Sequence, residues 1–198
     1  MPTKSDRTKQ FILQKVAPVF NKNGYFGTSM SDITEATGLT KGAIYGNFKN
    51  KEDLAYYSFY FNVSYVMTKL GAIIENHNTS IDQLLAISDF YKNDYLTNID
   101  IGGCPIVNLG VDANHTNPKL YKAVKQVIIK IQGYIHDILI EGIKREEIKK
   151  EVNAKEFSSV MFSLIEGGIF TSMTMNDNTY LRNMMNHLDS VIRKEIKN

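Results

Sequence analysis

TSMSDITEATGLTKGAIYGNFKNKEDL, residues 28–54, is the stretch whose reading decides the fold. It predicts two short helices joined by a tight turn, with a third helix starting at once. Ser29-Met30-Ser31-Asp32 has the capping-box pattern, in which a hydroxyl accepts from an exposed amide and an acidic residue three places on returns the bond. Ile33 and Ala36 supply the buried face of the first helix, and Gly38 ends it. Leu39 fills the corner, Thr40 caps the second helix over 41–48, and Ile44 and Phe48 point inward. Asn50, with Asp53 three residues on, caps the third, whose first apolar anchor is Leu54.

The flanks extend the same period. Residues 6–23 carry Phe11, Ile12, Val16, Ala17, Val19 and Phe20 on one stripe. Asn23-Gly24 stops that helix, and Tyr25 and Phe26 wedge against the next. Residues 51–76 predict a long helix with aromatics nearly all round it, the mark of a helix surrounded by others. Further helices follow over 81–98, from Pro105 to about 114, from Pro118 to about 146, over 153–175 and over 177–194. Pro105 suits a first helical position, where its missing N–H costs nothing. The expectation is an all-α protein of about nine helices: a three-helix head, residues 1–50, and a larger helical domain, residues 51–198.

Composition narrows the class. At 198 residues, 43% hydrophobic and 22% charged, the chain has material for a core. Its apolar runs are far shorter than the roughly 18–20 residues of a membrane span. The polar start MPTKSDRTKQ does not read as a secretory signal, and the single cysteine, Cys104, excludes an internal disulfide. A reducing cytoplasm with no membrane partner is the expectation. Charge is uneven: residues 1–54 hold eight Lys/Arg against five Asp/Glu, and the remainder fifteen against sixteen. A basic head on a slightly acidic body suits phosphate binding. The four histidines are scattered at 77, 115, 136 and 187, with no HExxH, CxxC or Gly-rich phosphate loop, so an enzyme, a metal and a cofactor are not expected.

The motifs resemble the DNA-binding domain of the TetR family of transcriptional regulators. The resemblance covers about residues 7–54. It rests on Asn23, Gly24, Tyr25 and Thr28, on Asp32, Ile33 and Gly38, and on KGAIYGNFKNKEDL, residues 41–54. It implies a homodimer that sets two recognition helices in successive major grooves of a palindromic operator. The residues suit that task. Gly42, Ala43 and Gly46 permit close approach to base edges, while Lys41, Tyr45 and Asn47 offer polar contacts. Lys51 stands at a helix N-terminus, where amides and ammonium together attract phosphate, and Thr28 and Ser29 offer hydroxyls for the same purpose. Gly46 and Asn47 depart from the family pattern, which often has a bulkier side chain and a histidine there; both bear on which operator is read.

For the larger domain the resemblance implies a small-molecule effector and a role as a ligand-responsive repressor. Candidate lining residues are Phe59, Asn62, Tyr65, Phe90, Tyr91, Tyr95, Asn108, Asp112 and Met161: aromatics with a few polar groups, as in ligand sites generally, or equally the contents of a packed core. Cys104, before Pro105 at a helix start, is either a stabilised thiolate that senses electrophiles or oxidants, or a small structural thiol. The last two helices, about 153–175 and 177–194, are expected to pair across a two-fold axis, with Gly167-Gly168 and Ser163 allowing close approach and Met173, Met175, Met184 and Met185 packing adaptably; the alternative is that these faces belong to the core within one chain. The competing reading is a DNA-binding module whose body binds a protein instead of a small effector.

Overall fold

The computed structural model describes residues 3–98 and 101–198. Met1, Pro2, Ile99 and Asp100 lie outside them, and with them the first two residues of the polar N-terminus. The described residues form ten α-helical segments: α1 Lys4–Gly27, α2 Met30–Thr37, α3 Lys41–Tyr45, α4 Lys51–Ile74, α5 Ser80–Asp89, α6 Leu96–Asn98, α7 Pro105–Thr116, α8 Pro118–Lys144, α9 Ala154–Met175 and α10 Thr179–Val191. Two π-helical segments, Phe90–Tyr95 and Ile192–Ile196, continue α5 and α10. Counting α5, its π segment and α6 as one continuous rod, and α10 with its own π segment as another, leaves nine rods among the described residues, the expected number.

Three local readings change. First, α1 starts earlier than residue 6, because Thr3 and Asp6 form a capping box of their own. It also resumes for one turn beyond a kink at Gly24, whose φ of 76° is a left-handed conformation that favours glycine. Second, α3 closes at Tyr45 rather than running to 48; Asn47 and Phe48 both return their N–H to the Ile44 carbonyl in a turn. Two glycines in five residues weaken the helix there, and the chain must turn to reach the next cap, where Asp53 N–H donates to Asn50 Oδ1 at 2.8 Å. Third, the expected helix over 81–98 contains the π segment.

The chain divides into two compact units. The first comprises the described residues of Met1–Tyr65 and Asp100–Gln126, and the second those of Val66–Ile99 and Val127–Asn198. Compactness therefore does not break at residue 50, where the sequence reading divided the chain.

In the first unit, α1, α2, α3 and the start of α4 enclose Ile12, Val16, Phe20, Ile33, Ile44, Phe48, Leu54 and Ala55. Each fully buried apolar side chain contributes about 1.5–3 kcal/mol before entropy is charged against it, which is how so short an element as α3 holds its place. Beyond this core α4 carries a ladder of edge-to-face aromatics, Tyr56–Tyr60 at 5.0 Å and Phe59–Tyr60 at 5.4 Å. The ammonium of Lys9 sits 4.1 Å from the Tyr57 ring centroid, and that of Lys119 bridges Asp53 and the Tyr56 ring.

In the second unit, α9 and α10 form a hairpin. Asn176 takes the left-handed turn, and Leu181 N–H donates to the buried Ser172 hydroxyl at 2.8 Å. A side chain on Gly168 would lie 2.8 Å from Leu181, so this glycine serves the approach of α9 to α10 within the chain. Gly167 faces open space. Of the two uses the sequence left open for this pair, contact between copies or packing within one chain, Gly168 serves the second. Ser88 donates to the Met185 carbonyl, and Lys92 pairs with Asp189 at 2.7 Å, tying α5 and its π segment to α10.

Candidate nucleic-acid interface

The recognition element is built from its caps inward. Ser29 and Asp32 exchange hydrogen bonds at the start of α2, and Gly38, with a φ of 68°, ends it. Thr40 Oγ1 then accepts from the Ala43 N–H at the start of α3. Caps of this kind contribute about 1 kcal/mol each. Ile44 and Phe48 anchor the inner side of α3. Lys41, Gly42, Ala43, Tyr45 and Gly46 are left exposed together, with Tyr45 at 45%. Asn47 is half-buried, and its amide donates to the Ala43 carbonyl, closing the turn after α3.

Two of the expected contacts read differently. Thr28 is fully buried and donates its hydroxyl to the Gly24 carbonyl at 2.7 Å, so its side chain holds the corner between α1 and α2. Lys51 stands at the start of α4, as expected, but its ammonium lies 4.7 Å from the Tyr25 ring centroid. Burial pushes its pKa down, and the carboxylates of Asp112 and Asp32 pull it back up. Burial likewise raises the Tyr25 phenol, with Glu52 and Asp112 adding to the shift.

Asp112 and Asn108, assigned in sequence to an effector pocket, hold α7 against α1. The kink at Gly24 leaves the next amides without helical partners. Asp112 Oδ2 accepts from the N–H of Tyr25 at 2.5 Å and of Phe26 at 3.2 Å, an N-cap supplied by another helix. A Cβ on Gly24 would stand 3.1 Å from that same oxygen. One turn back, the Asn108 amide donates to the carbonyls of Asn21 and Gly102. The buried Asn21 amide donates to those of Ile101 and Gly103. Asn21 was not singled out in the sequence; an asparagine on a predicted apolar face was the available signal. Asn62 also bonds α1, through the Ala17 carbonyl, and Phe59 is fully buried beside it in the chain. The polar groups expected around an effector are thus committed to the backbone of the first unit, because a buried carbonyl or amide must find a partner.

The remaining pocket residues distribute as follows. Tyr65 is partly exposed on α4. Phe90, Tyr91 and Tyr95 stack on the π segment of the second unit, and Met161 is fully buried on α9. Tyr91 lines a small closed chamber there, and Phe90 lines a shallow cleft with Asp189 and Arg193. Cys104 stands at the N-cap position of α7, as its place before Pro105 predicts, makes no side-chain cap hydrogen bond there, and is only 4% exposed.

A capped five-residue helix with an open Lys-Gly-Ala-Tyr face, followed within six residues by a long helix, is the arrangement the motif requires. Residues 12–56 match the model for bacterial regulatory proteins of the tetR family, and residues 80–188 match that for the tetracyclin repressor-like C-terminal domain. The chain belongs to the TetR family of transcriptional regulators. Membership makes it a DNA-binding regulator with a helical ligand-binding domain rather than an enzyme. It is 24% identical to the HTH-type transcriptional regulator LmrA of Bacillus subtilis, covering 94% of this chain and 97% of that protein. It is 26% identical to the fatty acid metabolism regulator protein of the same species, over 85% of this chain and 84% of that one. Among solved structures, a TetR family regulator from Cytophaga hutchinsonii superposes with a TM-score of 0.94 at 35% identity, covering 100% of this chain and 98% of the other. The B. subtilis regulator FadR, solved with stearoyl-CoA, shares the fold at a TM-score of 0.72 and 20% identity, over 93% of this chain and 97% of its own. Among the described residues no helix is long and apolar enough to cross a membrane.

Proposed function

We propose that this TetR-family protein is a cytoplasmic repressor that binds a palindromic operator as a homodimer and is released by a small apolar or aromatic effector. Residues 1–50 read the DNA; residues 51–198 bind the effector and dimerise. The observation that carries this reading is the exposed face of α3. Its small residues and its Lys41 and Tyr45 are free of core duty, while its inner side is pinned by Ile44 and Phe48. Ser29, Asn47 and Lys51 flank that face. The acyl-CoA held by the FadR relative supports an apolar effector for this fold.

An outward stripe on α9, Val160, Ser163, Gly167 and Phe170, supports dimerisation, with Met184 and Tyr180 exposed on α10. Phe170 is 57% exposed in the single chain, a cost that pairing would remove. Two heads reading successive major grooves must stand roughly 34–36 Å apart. An effector that binds better to a conformation with another spacing lowers operator affinity by its differential affinity for the two states.

The test is selection of bound sequences from random duplex DNA by the purified protein. The expected result is an inverted-repeat consensus, with binding that weakens steeply as salt rises. Enrichment of a single unrepeated site, or of none, overturns the reading. A cysteine-based sensor finds less support, because burial of Cys104 shields its thiol from oxidants and electrophiles.

A further inference from the structure

Resting on the reading of α3 as the operator-reading element, we propose that Lys9 of α1 is a phosphate clamp: an ammonium held ready for one backbone phosphate of each half-site, at the edge of the groove that α3 enters. Its place follows from two rings. The Lys9 Nζ lies 4.1 Å from the Tyr57 ring centroid and 5.4 Å from that of Phe48. Phe48 is 2% exposed and returns its N–H to the Ile44 carbonyl in the turn that ends α3. Tyr45, three residues earlier, is exposed with the rest of the reading surface. Lys9 itself is half-buried. A charge carried by α1 is thereby set beside the end of α3. Lys49, exposed and next to Phe48 in the chain, adds a second.

The charge is not spent within the chain. Among the described residues no carboxylate forms an ion pair with Lys9 or Lys49, and no acceptor takes a hydrogen bond from the Lys9 ammonium. Acids close by in sequence are engaged elsewhere. Asp6 Oδ2 accepts from the Thr3 N–H and hydroxyl, and Asp53 pairs with Lys119 at 3.5 Å. The two other lysines seated on rings of α1 and α4 differ in this respect. Lys119, over Tyr56, has that partner, and Lys51, over Tyr25, lies in the field of Asp112 and Asp32. Ring faces attract an ammonium without consuming its three N–H donors. They also restrict a side chain with many rotamers, so less order is lost when a phosphate is captured. Phosphate contacts fix orientation on the duplex and carry no base information. Lys9 therefore adds affinity and register, while α3 chooses the sequence.

Anisotropy titrations of the full-length protein over a salt series, on the selected operator and on a scrambled duplex, test the clamp. Lys9→Met keeps an apolar stem over the rings and removes the charge. Affinity is expected to fall about tenfold or more near 0.1 M salt, by the same factor on both duplexes, and the slope of log affinity against log salt to shrink by about 0.9 for each head. Lys9→Arg is expected to restore the slope. Tyr57→Leu removes a ring and leaves the charge, so binding should weaken with the slope retained. Lys130→Met removes a lysine of the same kind, 5.6 Å from the Tyr134 ring in the second unit, and is expected to match the wild type. An unchanged slope in Lys9→Met overturns the clamp, whatever happens to its urea midpoint. A loss confined to the operator also overturns it, because Lys9 would then read a base. The reading of α3 is scored separately. A wild type that selects an inverted repeat while Lys9→Met keeps its slope refutes the clamp alone. A wild type that selects no repeat refutes the reading, and the scrambled duplex still decides the clamp.

Discussion

At the scale of single residues, position on α3 separates reading from folding. Tyr45 and Phe48 stand three residues apart, yet one is 45% exposed and the other 2%. Tyr45→Ala is expected to reduce operator affinity at least about tenfold, the value of one good base-edge contact, with circular dichroism and sedimentation unchanged. Wild-type affinity would remove Tyr45 from the interface. Phe48→Ala should instead cost about 3–5 kcal/mol of stability, as deletions of buried aromatics do. Asp32 adds a pH dependence. Its carboxylate is held below its usual range by the Ser29 N–H and hydroxyl. A group whose folded pKa is depressed contributes stability that is present above its unfolded pKa and lost as pH falls through the folded one. The urea midpoint of the wild type should therefore drop between neutral and acid pH more steeply than that of Asp32→Asn. Parallel curves would show that the box contributes nothing.

At the scale of elements, the contact between α7 and α1 is the joint to test. Asp112 replaces the helical acceptors that the Gly24 kink removes. Asp112→Ala leaves the amides of Tyr25 and Phe26 without that partner, at a cost of about 1–3 kcal/mol. Their hydrogen exchange should quicken first, with a measurable loss of operator affinity because α1 supplies three of the eight buried residues of the head's core. Asp112→Asn retains an acceptor oxygen and should fall between the two; unchanged exchange in the alanine variant would refute the joint. This element-level result could not be read in the sequence. The i, i+3, i+4 stripes located the helices, since burial of one face imposes that period. Nothing in the period says which helix lies across which. Asn108 and Asp112 look like pocket residues until their partners on α1 are seen. The π segment was equally hidden: one i→i+5 insertion leaves the apolar pattern of Phe90, Tyr91 and Tyr95 intact while re-aiming the side chains.

At the scale of the whole molecule, the proposed function requires two copies. Phe170→Glu places a charge in the middle of the exposed α9 stripe and leaves the core of each copy untouched. Sedimentation should shift from dimer to monomer at micromolar concentration, and operator affinity should fall by orders of magnitude, since one head loses the effective concentration supplied by its tether. A dimer that survives the substitution would move the interface elsewhere. The Gly167-Gly168 pair illustrates what changes at this scale. Both read as residues for close approach; Gly168 is used within the chain by Leu181, and Gly167 is left outward on the proposed face.

The sequence by itself determined the helices, their caps, the reading head and the family. Those features rest on local chemistry: a hydroxyl three residues before an acid, a glycine at a left-handed position, an apolar residue every three or four. The tertiary structure decided which polar groups were already spent. Asn62, Asn108 and Asp112 are committed to backbone groups by hydrogen bonds whose partners lie 45 to 87 residues away. Such pairings are set by packing, which no local pattern encodes.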